Sequence, residues 1–381
     1  MTIRRRYLAI AAFASVAAWG ALLAVPRDIA AKPVPVRLSD QEFWTTAVTF
    51  SEPGGTFRSS GAIRSDNLIS NETSFHQVIP ALQSAVGRGA YLGVGPEQNF
   101  TYIVALKPKI AFIIDIRREN MLLHLMYKAL VETSMDRVDF LSRLFARPRP
   151  VGVGQDSTAK ALFEAFRPVS TSADLAEATL RTVFDRLESV HRFTLSREDE
   201  ISIKDAYDAF CRGGPDIRWD SSGDSWIPTY VDLMAQTDRQ GRSHAYLASE
   251  ENFRVLKGYE TSNRIVPLVG DFSGDKTLRA VGRYLKSHHE TVTAFYTSNV
   301  EGYLFQSDRW LKFVTNVSTL PIDAHSTFIR THFTATRFTG RRPEYETTTV
   351  VDPIRELVQA FTRGDLRSYY DILWRPQPRT R

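Results

Sequence analysis

The chain has 381 residues, of which 43% are hydrophobic, 24% charged and 11% aromatic, and these proportions exclude a globally disordered protein. Its formal charge is +5, but residues 1–31 carry +3 and residues 375–381 another +3, so the body between them sums to −1. A nucleic-acid-binding domain needs its basic excess on the folded body, where it can follow phosphates, so no nucleic-acid partner is expected. The length suits two average domains or one large α/β domain with insertions. The single cysteine, Cys211, excludes an intramolecular disulfide and a zinc site built on several thiolates, and it reads as a buried core thiol.

Arg4-Arg5-Arg6 precedes 19 uncharged residues, Tyr7 to Val25, eight of them alanine. A basic patch before an apolar run has the outline of an export signal or a membrane anchor, so residues 1–31 are assigned to a hydrophobic leader in a bacterial cell-envelope setting. The membrane is then a partner only if the leader is retained. Residues 32–74, with Lys32-Pro33-Val34-Pro35 and a Gly/Ser/Asn-rich stretch from 51, read as linker and loop. Apolar spacing at Phe75, Val78, Ile79, Leu82 and Val86 predicts a helix with a proline near its middle. Ala90-Tyr91-Leu92-Gly93-Val94-Gly95 reads as a strand entering a glycine turn, and Pro96 to Leu106 as the following helix. Ile110 to Asp115 is a continuous apolar run closing on a carboxylate, the pattern of a strand buried on both faces. A helix over 118–133 follows.

From 136 to about 210 the pattern is helical and broken by Pro148, Pro150 and Pro168, and residues 150–225 are read as a helical insertion. It divides an α/β domain into halves at 75–149 and 226–374, with a basic tail at 375–381. Strands are predicted at 265–271, 292–296 and 326–333, helices at 276–288 and 303–315, a closing hairpin within 334–351 and a last helix at 353–363. Alternating strands and helices predict a mostly parallel sheet covered on both faces.

In such a sheet, ligands bind beyond the carboxyl ends of the strands, where the strand order reverses. Gly93 and Gly95 close the first strand, and Asp115 closes the second, 20 residues after Gly95. Glycines let a ligand approach the backbone, and a carboxylate at the next strand tip can accept both hydroxyls of an adenosine ribose. A dinucleotide fingerprint would place a third glycine where Gln98 stands, which disfavours NAD and FAD. With these residues the sequence resembles the class I S-adenosylmethionine-dependent methyltransferases over roughly 75–340, and Gly93 to Phe100 is similar to a segment of an uncharacterised bacterial methyltransferase-like family. The resemblance implies a Rossmann-like fold with S-adenosylmethionine held by Gly93, Gly95, Asp115 and Asp271, the last on the adenine side, and an acceptor substrate that the sequence does not identify. Glu97 is added either as a polar ligand contact or as a helix-start acid.

Departures from that family are plain: Tyr91 stands where an acidic residue is common, and 296–302 carry no Asn-Pro-Pro-Tyr. Candidate catalytic groups are Asp271, Asn299 and Glu301, with His288 and His289 as further bases. The alternative is an exported or membrane-tethered binding module on the same fold without turnover. Gly223-Asp224-Ser225-Trp226 reads as a turn and not as a hydrolase nucleophile, because no buried strand precedes it. The eight histidines show no metal-ligand spacing, so no metal is expected.

Overall fold

The computed structural model describes residues 33–56, 67–85, 87–219, 227–339, 342–366 and 371. The leader (1–31), the basic tail (375–381) and the Gly223–Trp226 turn therefore lie outside the described residues. Among the described residues no helix is long and apolar enough to cross a membrane.

The protein is a mixed α/β fold on one six-stranded sheet: β1 (Ala90–Gly93), β2 (Ile110–Asp115), β3 (Ile265–Val269), β4 (Val292–Ser298), β5 (Thr327–Thr339) and β6 (Arg342–Pro353). Their spatial order is β3-β2-β1-β4-β5-β6. The first five strands run parallel, and β6 returns antiparallel to β5 as the expected hairpin. The chain builds outward from β1 through β2 to β3, then crosses back to lay β4 against the other side of β1. The order reverses between β1 and β4, so a crevice opens there at the carboxyl edge. β1, β2 and β3 are buried at every position, as strands covered on both faces must be.

Helices follow the strands in the predicted places. A 3₁₀ turn at Phe75–Val78 leads into α2 (Ile79–Ala85), so Pro80 falls in a first helical turn, where its missing N–H costs nothing. Next come α3 (Gln98–Leu106) after β1 and α4 (Arg118–Thr133) after β2. Helices then continue through α5 (Arg137–Phe145), α6 (Ala159–Phe166), α7 (Ala173–Phe184), α8 (Arg197–Gly213), α9 (Tyr230–Met234) and α10 (Glu250–Thr261), beyond the 150–225 insertion expected from sequence. α11 (Thr277–Ser287) joins β3 to β4, α12 (Val300–Gln306) and α13 (Trp310–Ser318) join β4 to β5, and α14 (Ile354–Arg363) closes the described fold. Cys211 is buried on α8, and burial pushes its thiol up to about 11, in keeping with a core thiol.

One helix lies in the stretch read as linker, α1 (Asp40–Phe50). A capping box between Ser39 and Glu42 starts it, and Phe43 and Ala47 are buried. The Lys128 ammonium sits 5.2 Å from the Phe43 ring centroid, and His191 lies 2.9 Å from Asp40 and 2.7 Å from Glu132, so α1 docks on the helical layer. Local caps and two apolar anchors outweigh the loop-like composition around them. The chain then runs as a strap over the tips of β2 and β3. Glu52 N–H donates to the Val269 carbonyl at 2.9 Å, and Gly55 N–H to the Ile116 carbonyl at 2.8 Å. The Glu52 carboxylate accepts from the backbone N–H groups of Asp271, Lys276 and Thr277 at 3.1, 2.7 and 3.0 Å, filling the amino end of α11.

Candidate functional site

The turn after β1 is held by one side chain. Asn99 Nδ2 donates to the carbonyls of Val94, Gly95 and Pro96 at 2.9, 3.1 and 2.7 Å, and its Oδ1 accepts from the Tyr91 hydroxyl at 2.9 Å. A Cβ on Gly93 would run into that carboxamide, so the chain's own Asn99 explains why Gly93 is glycine. Gly95 differs. It has a left-handed φ of +76° and is buried, yet among the described residues a Cβ there would meet nothing within 4 Å. Among the described residues nothing takes the position beside Gly95 that a side chain would fill.

The two predicted strand-tip acids stand where expected, but both are engaged. Asp115 Oδ1 accepts from the Arg117 backbone N–H at 2.8 Å and from Arg117 Nε at 3.3 Å, and Oδ2 accepts from Arg117 Nη2 at 3.3 Å. Asp271 Oδ1 accepts from Ser273 N–H and Oγ at 2.8 and 2.7 Å, and Oδ2 from Arg309 Nη1 at 2.6 Å. Glu97, immediately before α3, is fully buried and accepts from Ser70 N–H at 3.3 and 3.2 Å. Burial pushes its carboxyl up to about 8.

Glu72, in a stretch that sequence reasoning read as a long loop, is buried beside the carboxyl end of β4. Its carboxylate accepts from Ser298 Oγ on β4 at 2.5 Å, Thr331 Oγ1 on β5 at 2.6 Å and Gln98 Nε2 on α3 at 2.9 Å. Burial raises its pKa, and the hydrogen bonds from Ser298, Thr331 and Gln98 oppose that rise. Of the other candidates, Asn299 lies just before α12, beside Ser298. Glu301 is buried and bound by Arg330 through Nε to Oε2 and Nη2 to Oε1, with Asp352 on the same guanidinium at 2.9 Å. His288 and His289 follow α11, at the amino edge of the sheet and so away from Gly93 and Asp115. The fold thus gathers Gly93, Gly95, Glu97 and Asp115 around one turn and sets Asp271 beyond β3.

Two further side chains face that turn. His124 on α4 bonds the Gly95 carbonyl through Nε2 at 2.9 Å, and its Nδ1 has no hydrogen-bond partner among the described residues. Burial holds its pKa down at about 4, so the ring is neutral at pH 7. Asn120, one helical turn earlier on the same face, is 2% exposed, and neither its Oδ1 nor its Nδ2 is bonded among the described residues. The signal for both was their place in a polar series spaced by four on that helix, Asn120, His124, Lys128 and Glu132. Among the described residues no group of three or more His, Cys, Asp or Glu could hold a metal ion.

No curated protein matches the chain. Residues 68–360, which span the sheet and the glycine turn, match a family described as a domain of unknown function (DUF7790), and the chain belongs to that family.

Proposed function

We propose that the chain is a Rossmann-like domain that binds S-adenosylmethionine across the carboxyl edge of β1 and β2, in the manner of a class I methyltransferase. The observation that carries this reading is the position beside Gly95, where a Cβ would meet none of the described residues within 4 Å, next to the strand-order reversal and with Asp115 at the neighbouring tip. When bound, this cofactor supplies an electrophilic methyl group. The left-handed turn at Gly95 lets a ligand approach the backbone, and Asp115, Asn120 and His124 line the approach from β2 and α4. The acceptor end falls toward Ser298 and Asn299, where Glu72 is the carboxylate best placed to take a proton. Burial has raised its proton affinity, and the reading of Glu301 as that base gives way to its ion pair with Arg330. Calorimetry on the full chain with S-adenosylmethionine and S-adenosylhomocysteine tests the proposal. Heat with both ligands is expected, and its absence at high concentration refutes it.

A second reading keeps the fold as a binding module without turnover, in the cell envelope to which the leader would direct it. It is favoured by the engagement of the Asp271 and Glu301 carboxylates by Arg309 and Arg330. Binding of S-adenosylhomocysteine with no methyl transfer to any offered amine, hydroxyl or thiol acceptor would favour it over the first.

A further inference from the structure

We infer that Asn120 and His124 form a recognition edge for the hydroxyl-bearing, uncharged part of the ligand at the glycine turn, the ribose of an adenosine compound, in place of a phosphate. The inference deepens the cofactor reading given above and rests on it for the location of the ligand. Asp115 was expected to take the ribose hydroxyls, but three donors of Arg117 already meet its two oxygens. Asn120 is the group left over. It is 2% exposed, and among the described residues both its donor and its acceptor lack partners. A buried polar group without a partner is costly, so a carboxamide with both ends open marks a place where something else supplies the bonds. His124 adds direction. A carbonyl can only accept, so Nε2 must carry the hydrogen that meets Gly95, and the neutral ring leaves Nδ1 as an open acceptor. The edge thus offers one donor group and two acceptors, with no positive charge.

A phosphate, which is only an acceptor, would meet two open acceptors here. A vicinal diol suits the set, because each hydroxyl donates once and accepts as well. The position beside Gly95 that no described residue fills belongs to the same residue whose carbonyl His124 grips, which sets the edge at the glycine turn.

The test uses the full chain and the probes adenosine, 2′-deoxyadenosine, 3′-deoxyadenosine, S-adenosylhomocysteine and inorganic pyrophosphate, with the wild type and Asn120→Leu, a near-isosteric apolar replacement. Adenosine is expected to bind the wild type about 10- to 100-fold more tightly than one of the deoxy analogues, a preference that Asn120→Leu abolishes. The ligand-free Asn120→Leu protein is expected to melt no lower than the wild type, because an unpaired polar group has been removed. A lower melting temperature would make Asn120 structural and overturn the inference. So would tight pyrophosphate binding, or S-adenosylhomocysteine binding without any dependence on hydroxyls. That last result leaves the cofactor reading standing. Hydroxyl-dependent adenosine binding without S-adenosylhomocysteine binding does the reverse, and binding of neither ligand refutes both.

Discussion

Glu97 offers the sharpest test of how this interior is built, through Glu97→Gln. The side chain is fully buried beneath the glycine turn, and burial lifts its carboxyl from the ordinary 4.5 to about 8. The folded protein therefore holds a proton there that the unfolded chain releases above about pH 4.3. Below that pH the folded and unfolded states are protonated alike, and the carboxyl carries no penalty. As pH rises toward 8, folding must keep taking up that proton, and stability falls by about 1.4 kcal/mol per pH unit. Over the interval from 4.5 to about 8 the loss reaches about 5 kcal/mol. Glutamine has nearly the same shape and nothing to titrate. Urea unfolding of both proteins at intervals from pH 5 to pH 8, roughly the window the shift opens, should give stabilities that nearly match at the acid end. The variant should then become the more stable by several kcal/mol at the alkaline end. Taking the difference between the two proteins cancels other buried acids, such as Glu260, which burial also pushes up to about 8. Parallel pH profiles for wild type and variant would refute the reasoning.

Other outcomes follow from the same structure. His76 is fully buried and held down at about 3 from the ordinary 6.5, mainly by burial, so the folded state refuses a proton that the unfolded chain accepts. Stability should fall as pH drops from 6.5 toward 3, and His76→Asn, which keeps an acceptor for the His244 N–H, should show a shallower fall in acid unfolding curves. Glu301→Gln leaves the buried Arg330 charge half-paired and should cost about 3–5 kcal/mol in chemical denaturation, whereas the double change to methionine at 301 and 330 should recover most of it. A Glu301→Gln protein of wild-type stability would return Glu301 to the list of proton acceptors. Gly93→Ala drives a methyl into the Asn99 carboxamide and should lower stability by about 1–3 kcal/mol. Gly95→Ala meets no neighbour and should cost only about 1–2 kcal/mol for its left-handed backbone, while weakening S-adenosylhomocysteine binding. Equal stability losses with no change in binding would show that the Gly95 flank is not a ligand space.

Hydrophobic runs announced the sheet. Ile110 to Asp115 read as a central parallel strand buried on both faces, and the glycines after Leu92 marked where β1 turned to α3. The strap was hidden, because Ser51, Glu52 and Gly55 carry no periodicity and their partners at Ile116, Val269, Asp271, Lys276 and Thr277 lie more than sixty residues away in sequence. Glu72 was hidden for the same reason, since its donors come from residues 98, 298 and 331. Asp115 and Asp271 were placed at the right strand ends, but their occupation by Arg117 and Arg309 depends on side-chain reach that spacing does not encode. Asn120 and His124 could be seen as members of a polar series spaced by four along their helix, but not as unpartnered, since that follows from every neighbour at once.

The strap also has a mechanical meaning. Tension applied to the amino-terminal end enters through α1 and reaches the sheet at Ser51, Glu52 and Gly55. Those contacts run across the strand ends, so load falls on the tips of β2 and β3 and on the start of α11, where Glu52 holds three backbone N–H groups. The ends of the same strands carry Asp115 and border the glycine turn. Pulling on the chain from that end would therefore load Leu38 and the Phe43 and Ala47 anchors of α1 first, and the strand tip that carries Asp115 after them.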